Sequence, residues 1–69
     1  MKYIINKRNN IYISGISKDN ISYTNYIEDA MEFITLDNAK AIFAYLKEYF
    51  NTEAMYISSV SIDIKRVDA

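Results

Sequence analysis

The stretch TLDNAKAIFAYLKEYFN, residues 35–51, decides the fold. Its apolar side chains recur at steps of three and four residues, which places them along one face of an α-helix. Thr35 can cap the helix with Asp37 in its first turn, and Asn51 tolerates the left-handed conformation that often ends a helix. The apolar stripe consists of Leu36, Ala39, Ile42, Phe43, Leu46, Tyr49 and Phe50. A stripe of this width covers a β-sheet, so the helix is predicted to pack against one.

The residues before this helix favour three short β-strands. Residues 2–5, 11–16 and 21–24 are rich in Ile and Tyr, and polar, turn-prone segments separate them. Gly15, the single glycine of the chain, lies inside the second strand, where glycine usually marks a bulge or a bend. The simplest arrangement is a three-stranded antiparallel meander.

Two further elements follow from the remaining sequence. Residues 26–32 suit a short helix, because acidic side chains fall in its first turns. Apolar and polar side chains alternate over residues 60–65, as in a strand with one buried face. Met55 and Ile57 have the opposite parity, and a bulge near Ser58-Ser59 would reconcile the two halves. The predicted element order is therefore β-β-β-α-α-β.

The predicted fold class is α+β: an antiparallel sheet of about four strands with one main amphipathic helix packed on one face. The 69 residues have room for a single domain, 1–69. The chain has no Cys and no His, so neither a disulfide nor a zinc site is expected to staple the core. Unstapled domains of this size gain about 3–5 kcal/mol from their own core. A homodimer is accordingly one expectation.

The composition also bears on catalysis and location. Without His or Cys, the residues most often used for proton transfer and nucleophilic attack are missing, so no enzyme, cofactor or metal ligand is predicted. Glu28 and Glu32, spaced four apart on the short helix, form either a cation or acid-base pair or an ordinary solvated face. Ser58, Ser59 and Ser61 are expected to point outward. Absence of Cys fits the cytoplasm, and no apolar run approaches the roughly 20 residues of a membrane span.

One pattern gives a family resemblance. Thr24, Ala30, Phe33, Thr35 and Ala39 form the spacing Thr-x5-Ala-x2-Phe-x-Thr-x3-Ala between the hairpin and the amphipathic helix. This arrangement resembles small phage and prophage proteins of low-GC Gram-positive bacteria. The resemblance implies a protein of the host-cell cytoplasm that binds and blocks a host protein or protein complex, as anti-CRISPR inhibitors of bacterial defence do. It implies no catalytic residue.

The tyrosine content independently favours protein binding. Seven Tyr occur in a chain without Trp, and Tyr is favoured at interfaces because its ring supplies area and its hydroxyl a hydrogen bond. Basic side chains at the first turn would steer a partner towards the surface. The predicted partner-binding residues are Lys7, Arg8, Tyr12, Tyr23, Tyr26 and Tyr45.

The alternative prediction is a homo-oligomeric nucleic-acid-binding accessory protein. The terminal strands carry most of the basic side chains and could be neighbours in the sheet, with Tyr3 and Tyr12 as stacking surfaces. The same lysines could instead protect edge strands from aggregation. The net charge of −1 argues against nucleic acid, because such domains usually have a pI above about 9. The basic residues in question are Lys2, Lys7, Arg8, Lys65 and Arg66.

Overall fold

The structure, a computed structural model, describes residues 1–67. Within them the elements are β1 (Lys2–Lys7), β2 (Ile11–Ile16), β3 (Ile21–Thr24), a 3-10 turn (Ile27–Asp29), α1 (Leu36–Tyr49), β4 (Tyr56–Val60) and β5 (Ile64–Arg66). The strands form one sheet in the order β3-β2-β1-β4-β5, and every neighbouring pair is antiparallel. The α+β class is confirmed, and the sheet has one strand more than the four predicted.

The central strand β1 pairs along its length with β4, so the two ends of the chain meet in the sheet. The register runs without interruption from Lys2 opposite Val60 to Asn6 opposite Tyr56. The bulge predicted near Ser58-Ser59 is therefore wrong. The parity changes within β4 because Ile57 packs in the core under α1, whereas Val60 packs on the opposite face of the sheet. A turn at residues 61–63 then ends β4 and starts β5, so the segment predicted as one strand is a hairpin.

Two local features of the first strands follow from their residue types. The β1–β2 turn places two consecutive residues in the left-handed region, Asn9 (φ 66°) and Asn10 (φ 57°), and asparagine accepts this conformation better than most residues. In β2 the register shifts between Ile13 and Gly15, which confirms the irregularity predicted at the glycine. Gly15 itself has a negative φ, so its backbone is not strained.

Helix α1 packs over β1 and β4, and it forms the larger core as predicted. The Thr35 hydroxyl accepts a hydrogen bond from the Asn38 backbone N–H at 3.2 Å, which confirms the predicted cap. The helix ends at Phe50 in extended conformation (φ −136°) rather than with a left-handed Asn51. The buried residues of this core are Ile5, Ile13, Ile21, Phe33, Ala39, Leu46, Met55 and Ile57.

The connection from β3 to α1 first covers the other face of the sheet. The short helix predicted over residues 26–32 is a single 3-10 turn, and the chain around it places Ala30 against Ile4 and Tyr12. Ile4 and Ile5 point to opposite faces because they are successive residues of one strand. A second, smaller core therefore lies on the face away from α1. The prediction placed the packed helix on one face only, whereas apolar side chains are buried on both faces of the sheet.

The same connection then crosses the sheet between β1 and β2. The Met31 N–H donates to the Ile13 carbonyl at 2.8 Å, and Phe33 exchanges two backbone hydrogen bonds of 2.8 Å with Tyr3. Strands β1 and β2 leave room for this segment, because they pair directly only at Asn6–Lys7. The crossing carries the chain from the smaller core to the start of α1.

Candidate functional site

A groove lies where α1 leaves the sheet uncovered. A helix is about 10–12 Å across and strands are about 4.8 Å apart, so one helix cannot cover a five-stranded sheet. On the side of β4 and β5 the uncovered strip is a depression of about 580 Å³. Its floor contains Phe43 from α1, Met55, Ile57 from β4, and Val67. The floor is therefore apolar.

The rim of this depression is cationic. Lys40 and Lys47 come from α1, and Arg66 comes from the end of β5. The Lys47 ammonium lies 4.8 Å from the centre of the Phe43 ring. The Arg66 guanidinium lies 4.7 Å from the centre of the Tyr56 ring on the face of the sheet away from α1, because both residues share the strand parity of Ser58. Such cation–π contacts hold the charged groups in place without neutralising them.

A second depression of about 450 Å³ adjoins the first and extends it to the β1–β2 turn. The two share Glu53, Met55, Tyr56 and Arg66 in their walls. We call the two depressions together the cationic groove, because five basic residues line it and Glu53 is the one acidic residue among those that line it. Those five are Lys7, Arg8, Lys40, Lys47 and Arg66.

The groove concentrates positive charge in a chain whose net charge is −1. The Lys7 ammonium lies over Tyr23 of β3, and the Arg66 guanidinium lies on the face of the sheet away from α1. The three remaining cations, Arg8, Lys40 and Lys47, against Glu53 give a local charge of +2. Within residues 1–67 the one ion pair joins Lys2 to Glu32 at 3.1 Å, at the start of β1 and away from the groove. The groove cations therefore have no carboxylate partner among the described residues.

The predicted contact residue Tyr12 does not belong to any binding surface. Its side chain is only 5% exposed and belongs to the smaller core with Ile4 and Ala30. Its hydroxyl donates to the Asn10 side-chain oxygen at 3.3 Å. Tyr12 is thus a structural residue, and the prediction that it contacts a partner or stacks on a base is wrong. Alternation along β2 directs it to the face that the 3-10 turn covers.

The other predicted residues are exposed, except half-buried Lys7, and they do not form one surface. Lys7 and Arg8 line the groove, and the Lys7 ammonium lies 4.6 Å from the ring centre of Tyr23. Tyr26 is 64% exposed just after β3. Tyr45 is on α1, on a different helix face from the groove-lining residues. Its ring contacts the Tyr49 ring in a tilted arrangement, with ring centres 4.8 Å apart.

The structure also differs from the predictions made for the Glu28–Glu32 pair and for Ser58. Glu28 and Glu32 do not share a helix face, because the 3-10 turn ends at Asp29 and Glu32 pairs with Lys2. Ser58 is 1% exposed rather than outward, and it donates to the Asn6 side chain. Within the described chain, no group of three or more His, Cys, Asp or Glu is placed to hold a metal ion.

The two helical lysines of the groove are not among the residues predicted from the sequence. Lys40 and Lys47 lie outside the apolar stripe. Their signal was the seven-residue spacing, which puts two cations on the same flank of Phe43. Which strand that flank faces depends on the sheet order, and the sequence pattern does not determine it.

Comparisons with known proteins found no family model, no curated protein and no solved structure that matches this chain. Among residues 1–67, no helix has both the length and the apolar character needed to cross a membrane.

Proposed function

We propose that this protein is a non-catalytic binding module that acts stoichiometrically on a macromolecular partner. The observation that carries the proposal is the cationic groove. Arg8 of the β1–β2 turn and Lys40 and Lys47 of α1 line it, and none of the three has a carboxylate partner among the described residues. Neighbouring like charges repel one another in the free protein, and an anionic partner relieves that repulsion.

The biological form that we propose is an inhibitor, encoded by a phage or prophage, of a bacterial defence complex. The support for this form is the resemblance carried by Thr24, Ala30, Phe33, Thr35 and Ala39. A small inhibitor needs only one complementary surface, and the groove provides such a surface in 69 residues. The absence of cysteine supports action in the reducing cytoplasm of the host cell.

Affinity capture from a host lysate tests this proposal. We expect the wild-type protein to retain a macromolecule in near-equimolar amount, and to release it as salt rises to about 0.5 M because the contact is electrostatic. A variant with Lys40→Glu and Lys47→Glu should retain much less. Lys18→Glu, in the turn between β2 and β3, is the matched control and should retain as much as the wild type. Failure to retain anything at low salt would overturn the proposal.

The second candidate is a homo-oligomeric nucleic-acid-binding accessory protein. It is favoured by one observation, the meeting of Lys7, Arg8 and Arg66 from three separate elements in one wall. It predicts an affinity for oligonucleotides that falls steeply with salt and is abolished by Lys7→Glu with Arg8→Glu. It also predicts a dimer or larger species in sedimentation at micromolar concentration. A flat salt response and a monomer would exclude it.

A further inference from the structure

We infer that the cationic groove binds an acidic, amphipathic peptide segment, one that presents carboxylates to the rim and apolar side chains to the floor. The inference rests on the proposed function and names the partner chemistry. Three observations distinguish this occupant from nucleic acid: the character of the floor, the state of the aromatic rings and the distribution of charge.

The floor suits apolar side chains better than bases. Met55 and Ile57 are 6% and 4% exposed and form the packed base of the groove, so the apolar area that remains open belongs to half-buried Phe43 and Val67 and to exposed Ala44. Leu or Phe side chains of a peptide gain free energy when they cover such a surface. Phosphates and sugars would leave it in contact with polar groups.

The aromatic rings of the groove are poorly placed for base stacking. Sequence-tolerant binding of single strands depends on exposed ring faces. Phe43 is half-buried, and Lys47 already lies over its face at 4.8 Å. Tyr56 is half-buried under Arg66 at 4.7 Å, and its ring lies on the face of the sheet away from α1. A base would have to displace these cations before it could stack. A carboxylate can bind the same cations where they stand.

The charge distribution favours a short anion over a long one. The groove has a local charge of +2, from Arg8, Lys40 and Lys47 against Glu53, but the chain as a whole has −1 and a pI near 5.2. Screening limits the reach of charges to about 8–10 Å at physiological salt, so a peptide confined to the groove senses mainly the cations. A polynucleotide that extends beyond the groove also meets the acidic surface, which repels it.

The spacing of the rim cations defines a usable probe. Lys40 and Lys47 are seven residues apart on α1, which separates their backbone positions by about 10 Å along the helix. Carboxylates three residues apart in a peptide of polyproline II conformation lie on the same side and have a similar separation, about 9 Å. The complementary segment therefore has Glu or Asp at every third position and apolar residues between.

Fluorescence anisotropy with three labelled probes tests the inference. The first is a 12-residue peptide with Glu at every third position and Leu or Phe among the rest. The second has Lys in place of each Glu, and the third is a 12-nucleotide single-stranded DNA. We expect the acidic peptide to bind at least about tenfold tighter than either of the others, because only it matches both rim and floor.

A matched pair of variants locates the binding. Ala44 and Ala41 are both exposed on α1, but only Ala44 lines the groove. Ala44→Glu should weaken the acidic peptide by roughly tenfold or more, whereas Ala41→Glu should change its affinity by less than about twofold. Circular dichroism of both variants checks that the fold is intact.

The outcomes separate this inference from the proposed function. Tighter binding of the DNA, equal binding of the basic peptide, or equal effects of the two alanine variants would overturn the acidic-peptide assignment. If a lysate partner is still captured and Ala44→Glu releases it, the binding function stands and only the peptide chemistry is wrong. If no partner is captured and no probe binds, both are wrong.

Discussion

Replacing Ser58 by alanine is expected to destabilise the fold through a single buried hydrogen bond. The Ser58 hydroxyl donates to the Asn6 side-chain oxygen at 2.8 Å, and the two residues are 1% and 6% exposed. The bond joins β1 to β4, which are 52 residues apart in sequence at this point. Removal of the hydroxyl leaves the Asn6 oxygen buried without this donor, and an unsatisfied buried group costs about 1–3 kcal/mol.

This loss is large for so small a domain, because an unstapled core of this size supplies about 3–5 kcal/mol. A change of 1 kcal/mol shifts Tm by about 4–8 °C in a domain of 60–100 residues, so Ser58→Ala should lower Tm by roughly 5–20 °C. Urea unfolding followed by far-ultraviolet circular dichroism measures the free energy directly.

Ser59→Ala on the same strand is the matched control. Ser59 is half-buried, and its hydroxyl makes only a longer bond of 3.4 Å to the Lys65 carbonyl. Its replacement should change the free energy of unfolding by less than about 0.5 kcal/mol. Equal effects of the two alanine variants would refute the reasoning, because they would show that burial of the Asn6–Ser58 pair does not affect stability.

Three further substitutions test the fold, each by urea or thermal unfolding. Leu46→Ala should cost about 2–5 kcal/mol, because the Leu46 side chain of α1 is fully buried in the larger core, and a loss below about 1 kcal/mol would place Leu46 outside the core. Thr35→Ala should cost about 0.5–2 kcal/mol through loss of the cap on the Asn38 N–H, and an unchanged stability would argue against that cap. Gly15→Ala should stay within about 0.5 kcal/mol of the wild type, since an added Cβ would meet the Ser22 Cβ at an ordinary 3.8 Å, and a large loss would contradict the geometry of this bulge.

Features that depend on local periodicity were predictable from the sequence. The stripe within residues 35–51 predicts α1 and its cap because a helix repeats every 3.6 residues and is stabilised by neighbours in sequence. The irregularity at Gly15 was predictable for a similar reason, since a glycine inside a strand often marks a bulge or a bend.

Features that depend on distant pairing were not predictable in the same way. The position of the crossing segment depends on the backbone hydrogen bonds between Phe33 and Tyr3. The outward position predicted for Ser58 is wrong because its hydroxyl bonds to the Asn6 side chain on the neighbouring strand β1. Alternation of residues 60–65 is also compatible with a hairpin, because Val60 and Ile64 face the same side as cross-strand partners. Local patterns contain no information on such partners.

The site was predictable only in part, for the same physical reason. Lys7 and Arg8 were singled out as steering charges, and they do line the groove. Tyr12 was selected by residue type alone, whereas its burial depends on the chain segment that folds over it. Lys40 and Lys47 became recognisable only when the sheet order placed β4 and β5 beside their face of α1.

The cationic groove is the proposed binding surface, and nuclear magnetic resonance can locate the bound peptide residue by residue. The acidic 12-residue peptide would be titrated into ¹⁵N-labelled protein while the backbone amide shifts are recorded. We expect the largest changes in amide shift at residues that line the groove, which are Lys40, Ala44, Lys47, Tyr56 and Arg66. Changes concentrated instead on the exposed tyrosines of α1 or on β3, or no changes at millimolar peptide, would contradict it.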